Sequence, residues 1–429
     1  MATKTLRVDY LTRVEGEGAL ELDIADGAVA GVRLAIFEPP RFFEALLRGR
    51  AGTEAPDITA RICGICPVAY QMSAVHAIEN AYGITLDAPL RALRRLLYCG
   101  EWIESHALHV VMLHAPDFLG FPDAISMAAA HGDVVRRGLA LKKAGNSLLR
   151  LLGGREIHPI NVRVGGFYRA PTPAELAPLA PVMAAAREDA LALARFVAGF
   201  SFPSFSRDYE FVALRHPTDY PMNEGRVVSN RGLDIAVADY DSAFAEHHVA
   251  HSTALQSVLR ARGNYCVGPL ARFNLNFDRL SPTVQALAAE LGIAQGCANP
   301  FQSIVVRALE LVYACEEAER LIAGYEPPAA PAASVVPRAG VGVAATEAPR
   351  GLLYHRYELD AEGTILAARI VPPTSQNQAT IEDDLRLIAT RDLALAESEL
   401  RDHCEQAIRN YDPCISCSTH FLRLEVRRR

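Results

Sequence analysis

No stretch of these 429 residues approaches the roughly 20 charge-free positions that a membrane-crossing helix needs, and the opening "MATKTLRVDYLTRVEGEG" lacks the apolar run of a signal peptide. Positive charge is also sparse in runs. The terminal "RRR" is the only basic cluster, the formal net charge is -7 and the pI is near 6.0, which argues against a nucleic-acid partner. No internal repeat and no GxGxxG stretch is visible, so nicotinamide or flavin is expected to bind elsewhere. Only residues 325–340, "YEPPAAPAASVVPRAG", are of low complexity, and they read as a surface connection. These absences lead us to expect a soluble cytoplasmic chain with no membrane or nucleic-acid partner.

What is present is enough for a large core, with 50% hydrophobic and 22% charged residues. Alternation from Leu6 to Phe37 around an Asp26-Gly27 turn signal predicts antiparallel strands, and "LLYHRYELDAEGTILAARIV" around Asp360 to Gly363 predicts a second hairpin. Between them, stretches beginning at Ala88 and Thr172 repeat apolar residues near every 3.6 positions. We therefore expect an α+β, helix-dominated fold: one domain over residues 1–429, with a central bundle of long helices and small antiparallel β segments near both ends.

The nine cysteines do not form the even, dense framework of a secreted disulfide protein. Five stand singly (Cys99, Cys266, Cys297, Cys315 and Cys404) and read as small buried hydrophobes. The other four make two CxxC pairs, Cys63/Cys66 and Cys414/Cys417, at opposite ends of the chain. Four reduced thiolates suit zinc, an iron-sulfur cluster or another soft transition metal, and the cysteines alone do not choose among them. A four-cysteine zinc site joining the chain ends satisfies the same spacing.

The surrounding residues narrow the choice. "RICGIC" at Arg61 and "DPCISCSTH" at Asp412 are accompanied, in order, by "TRVEGEG" at Thr12, "RFFEALLRGR" at Arg41, "SHALHVVMLHAPDFLG" at Ser105, "GGREIHP" at Gly153, "VGPLARFN" at Val267, "TEAPRGLLYH" at Thr346 and "PPTSQNQATIEDDLR" at Pro372. Over nearly its whole length the sequence thus resembles the large, catalytic subunit of nickel-iron hydrogenases. The resemblance implies a Ni-Fe centre with Cys63 and Cys414 terminal on nickel and Cys66 and Cys417 bridging to iron. It also implies carbon monoxide and cyanide ligands on iron, served by donors from Arg350 and Thr374. Glu15 matches the family's proton-transfer carboxylate, expected to act by way of a Cys417 thiol. Asp117, Pro349, Arg350 and Asp412 match the canopy over the open nickel position, where positioning suits a guanidinium better than basicity. Glu44, the carbonyl of Ile370 and His420 match the ligands of a magnesium or other hard divalent ion.

Taken singly, these residues have plainer readings. Glu15 alone reads as a salt-bridged strand carboxylate, Arg350 as an ion-pair arginine and Asp412 as a turn residue before Pro413. His106 and His109, three apart on a predicted helix, read as packed or hydrogen-bonded rather than metal-binding. The sequence departs from the commoner pattern of the resembling family at Glu17 and Tyr70, where histidines often stand; neither is expected to be a ligand.

The function implied is the catalytic subunit of a cytoplasmic hydrogenase, H2 = 2 H+ + 2 e-, most like the NAD(P)-linked bidirectional class. After the four paired cysteines, no grouping remains for an iron-sulfur cluster, so the chain is expected to carry neither cluster nor flavin and to need a small iron-sulfur partner. Flavin/NAD(P) diaphorase subunits, a maturation chaperone and an endopeptidase that removes residues 421–429 are the further partners implied. Alternatives are delivery of electrons to a deazaflavin or a heterodisulfide reductase, a hydrogen sensor, and a structural subunit like that of respiratory complex I, which lacks the cysteine pairs.

Overall fold

In the computed structural model the residues described are 3–39 and 41–419. Strands Thr3–Val8, Gly18–Ala25 and Ala28–Ile36 form an antiparallel sheet, the last two joined through Asp26 and Gly27, both at positive φ. This is the turn the Asp-Gly signal predicted. Near the other end Gly351–Leu359 and Ile365–Val371 form the second expected hairpin. A third strand, Gly340–Ala348, extends that sheet through full pairing with Gly351–Leu359. Sheets also occur in the middle of the chain, among Val212–Arg215, Arg226–Ser229 and Asp234–Ile235 and between Phe244–His248 and Leu255–Leu259. The β structure is therefore less confined to the ends than the alternation pattern predicted.

Long helices make the centre. Ser303–Ala323 packs on Leu179–Ala198 and on Ala88–Ala107, which lies against the 30-residue helix Ala124–Gly153. Ser303–Ala323 is buried over most of its length, its apolar residues accompanied by the buried charged side chains of Arg307, Glu310 and Glu317. Where Ala88–Ala107 crosses Ala124–Gly153 the backbones nearly touch: a Cβ on Gly145 would lie 2.6 Å from the Gly100 carbonyl and 2.7 Å from the Glu104 nitrogen. Only glycine permits that approach. Asp87 caps the N-terminus of Ala88–Ala107 by accepting from Leu90 N, and at its far end the chain passes into a π-helical turn, Leu108–His114, that leads to Asp117.

One principal core contains residues from both chain ends, including Leu6 and Leu20 beside Cys414 and Cys417. Among the described residues, no helix is long and apolar enough to cross a membrane.

Candidate metal centre

Cys66 stands immediately before the Pro67–Tyr82 helix. Pro67 has no N–H to satisfy, and the next two, on Val68 and Ala69, are taken by the buried carboxylate of Glu101 at 2.6 and 3.0 Å. That fixes one cysteine pair. The second is brought in when Glu15 and Cys414 pair as a parallel bridge, with Ile415 N donating to the Glu15 carbonyl at 2.8 Å. Gly16 makes the approach possible: a Cβ there would lie 2.8 Å from both Ile415 Cβ and Ser416 N. Arg41 holds the outer turn, its guanidinium donating to the carbonyls of Ile62 and Ser416.

The result is that the four paired cysteines, all buried, place their sulfurs within 4.8 Å of one another. Cys63 and Cys414 Sγ are 3.5 Å apart, and Cys66 and Cys417 Sγ are 3.8 Å apart. Hydrogen bonds from Cys414, Cys417 and Cys66 hold the Cys63 thiol well below its ordinary range, whereas burial pushes Cys414 well up. One thiolate forms readily in this cluster; several together need a cation. A soft metal ion suits the donor set.

Arg350 stands in the field of these sulfurs. Its Nε donates to the Asp412 carbonyl at 2.8 Å and its Nη2 to Asp412 Oδ1 at 3.2 Å, while Nη1 and Asp412 Oδ2 are buried without a partner. Burial opposes the guanidinium charge, but Asp412 and the neighbouring sulfurs of Cys414, Cys66 and Cys63 outweigh it and push its pKa further up. A group held so firmly protonated is a poor base. Asp412 itself has φ of 50°, in the left-handed region, which turns the backbone into the first cysteine of the pair. Thr374 Oγ1 accepts from Cys414 N at 3.0 Å, leaving its hydroxyl proton available for a further acceptor.

Glu15 is half-buried, and its Oε2 accepts from the Cys414 thiol at 3.0 Å. The expected link through Cys417 is thus replaced by one through Cys414, because the backbone bridge sets Glu15 beside the first sulfur of the pair. Asp117 is held by two arginines: Arg409 donates to both its oxygens at 2.8 and 2.9 Å and Arg13 to one at 2.5 Å. Together these outweigh burial and hold its carboxyl below the ordinary range. Pro349 offers its carbonyl to Arg272 Nη2 at 2.9 Å.

Glu44 Oε1 accepts from Ile370 N at 2.8 Å, so two of the three residues expected at a hard-ion site lie together. Burial, with added repulsion from Glu246, pushes the Glu44 carboxyl up to about 8. The third, His420, and the tail 421–429 lie outside the described residues. His106 and His109 are buried and hydrogen-bonded, to Glu310 at 3.1 Å and to the Arg409 carbonyl at 2.8 Å, and neither joins the sulfur cluster.

Sequence reasoning missed what holds Pro349 and Arg350 in place. Arg272, fully buried, reaches Glu310 with Nε and Nη2 at 2.9 and 2.8 Å, Glu347 with Nη1 at 3.0 Å and the Ala348 and Pro349 carbonyls. Trp102 lies 4.5 Å from its guanidinium and donates Nε1–H to the Glu347 carbonyl. Arg272 and Glu347 fall inside the stretches "VGPLARFN" and "TEAPRGLLYH", which was the available signal.

Fold and sulfur cluster define a protein with four buried cysteines positioned to bind one metal centre. A family model for nickel-dependent hydrogenases matches residues 41–136 and 265–420. The alpha chain of sulfhydrogenase 2 from Pyrococcus furiosus is 35% identical over 426 residues, covering 98% of this chain and all of that one. A chain of the F420-non-reducing hydrogenase vhu from Methanococcus voltae is 32% identical, over 88% of this chain and 96% of its own length. Among solved structures, an NAD+-reducing [NiFe]-hydrogenase in the H2-reduced state superposes with a TM-score of 0.88 at 30% identity, over 98% of this chain and 100% of that chain. This chain belongs to the nickel-dependent hydrogenase family, in the role of catalytic large subunit.

Proposed function

We propose that this subunit interconverts H2 with protons and electrons at a nickel-iron centre that Cys63, Cys66, Cys414 and Cys417 would hold, and that its electrons pass through a small iron-sulfur subunit to NAD(P). The observation that carries the reading is the convergence of four buried sulfurs with the partly unpaired Arg350 guanidinium. When bound, the centre supplies the site of heterolytic H2 cleavage. The residues of the chain then have distinct tasks. Arg350, held by Asp412, orients and polarises what lies before it; its Nη1 and the Thr374 hydroxyl are donors suited to cyanide nitrogen on iron. Glu15 takes a proton from the Cys414 sulfur and moves it toward the surface. Glu44, the Ile370 carbonyl and His420 form a structural magnesium site. The NAD(P) assignment is supported by the likeness to the NAD+-reducing enzyme.

Purified with its partners from cells with intact maturation machinery, the protein is expected to contain nickel and iron, to show infrared bands of metal-bound carbon monoxide and cyanide, and to reduce NAD or NADP with H2. Zinc alone without such bands would remove the hydrogen chemistry. Bands with dye reduction but no NAD(P) reduction would remove only the acceptor assignment.

A further inference from the structure

Arg307 differs from the other buried arginines. Arg94, Arg272, Arg350 and Arg409 each meet a carboxylate within 3.2 Å. Arg307, 1% exposed in the first turns of the Ser303–Ala323 helix, pairs with none among the described residues. Its Nη1 donates to Ser303 Oγ at 3.0 Å and to the Asn410 carbonyl at 2.8 Å, and its Nε is buried without a partner. Burial brings the guanidinium down to about 10, against the more distant charges of Asp412 and Glu310, each of which is paired with another arginine. A buried charge without a counter-ion is costly.

Arg307 also lines a cavity of about 20 Å³, more than the about 10–15 Å³ that one water needs. Every residue around the cavity is buried. Asn410, 2% exposed, is one of them, and both atoms of its side-chain amide lack a partner, so N–H donors are free there in either amide orientation. Leu270 and Ser303 bring to the wall the starts of two helices, Pro269–Asn276 and Ser303–Ala323, neither of which has a side-chain cap. Helix N-termini carry partial positive charge. Among the described residues no carboxylate lines the cavity, and Tyr411, which does, gives its hydroxyl proton to Asp384 at 2.6 Å. Free donors and positive charge thus surround a space that admits only a very small ligand.

We propose that this cavity binds one monovalent anion of halide size, which accepts from Arg307 Nε–H and from the Asn410 amide. The anion supplies the counter-charge that Arg307 lacks; a water would fill the space and leave that charge alone. It also secures the segment that presents Asp412, because Arg307 and the Ser303 hydroxyl both donate to the carbonyl of Asn410, two residues earlier. The inference goes beyond the hydrogenase reading and does not depend on it.

Crystals of the holoenzyme grown with bromide as the halide test this by anomalous scattering, and a bromide peak against Arg307 and Asn410 is expected. In solution, replacing gluconate by bromide or chloride at constant ionic strength is expected to raise the unfolding midpoint by a few degrees and then to saturate. Asn410→Asp puts a carboxylate beside Arg307 at nearly the same volume and is expected to lose both the peak and the halide-dependent rise. Water density without an anomalous peak overturns the proposal. So does a peak without the saturable rise, which means binding at crystal concentration only, and so do a peak and rise that survive unchanged in Asn410→Asp. If that variant does not fold, the peak and the rise in the unaltered protein decide. Neither readout uses H2 turnover, so failure here leaves the hydrogenase reading standing, and absence of nickel, iron and the infrared bands leaves the anion site standing.

Discussion

The Cys414 thiol donates to Glu15 Oε2 across 3.0 Å, and the same carboxylate oxygen takes the backbone N–H of Ser416 at 3.1 Å. The carboxylate is thereby held against one sulfur of the cluster by a backbone donor that does not titrate. In Glu15→Gln the amide oxygen can keep both contacts while the titrating group is lost. We expect nickel and iron to stay bound and H2 oxidation and H/D exchange with solvent to fall by about 100-fold or more, while para/ortho hydrogen conversion persists. Isotope exchange and turnover on one preparation check this; full turnover would show that the proton leaves by another route.

Arg350 offers a test of shape against charge. Lysine keeps the positive charge but cannot span the Asp412 carbonyl and carboxylate while leaving a third donor free. Arg350→Lys is expected to lower turnover about 100-fold, the scale of losing one preorganised donor, with the metals retained. Equal activity in the lysine variant would mean that charge alone suffices.

How much of this was readable beforehand depends on the distance over which each contact acts. The Asp26-Gly27 hairpin and the long helices follow from periods inside one segment, and the four sulfurs follow from two CxxC spacings. Gly340–Ala348 escaped because "GVGVAATEA" is mostly small residues, alternates only over its first four positions and follows directly on a Pro/Ala-rich connection. The sulfur that Glu15 meets was misjudged for a different reason. Both members of a CxxC fit a nearby carboxylate, and the choice is made by a backbone bridge between residues 399 positions apart. Similarly, nothing local separates Glu310 and Glu347 from solvated acids; their partner Arg272 lies 38 and 75 positions away.

That buried network gives a pH-dependent prediction. Glu310 accepts from Arg272, from the Tyr220 hydroxyl at 2.6 Å and faces His106 at 3.1 Å. Burial raises its carboxyl, but Arg272 and His106 outweigh it and bring it down to about 2. A carboxyl depressed in the folded state stabilises the fold above its unfolded pKa of about 4.3, and that stability is lost as pH falls through the folded value. Glu347, pushed up to about 7 chiefly by burial, acts in the opposite sense, costing stability as pH rises from about 4.3 to 7. Glu310→Gln isolates the first effect. It is expected to cost about 3 kcal/mol near neutral pH, because Arg272 loses its buried counter-charge. The gap between variant and unaltered protein should narrow below about pH 4 in thermal or urea unfolding. A gap that stays constant down to pH 2 would show that the loss is one of packing.

The last prediction concerns the nine residues "FLRLEVRRR" that follow His420. The segment leading to them is enclosed. Thr419 is 0% exposed, its carbonyl accepts from Arg41 N at 2.7 Å, and Ser418 Oγ donates back to the Ile415 carbonyl at 2.6 Å. A tail that ends in three arginines cannot follow Cys414 and Cys417 into such an interior without a heavy desolvation cost. Removing the tail after the metal is in place resolves the conflict. We expect intact-mass measurement on active, nickel-loaded protein to find a chain ending at His420, and nickel-free protein to retain residues 421–429. A variant with a stop codon after His420 then makes a second check, since it bypasses the cut and is expected to need no endopeptidase. Active enzyme that still carries Phe421 to Arg429 would refute the processing step and require His420 to reach its ion with the chain continuing past it.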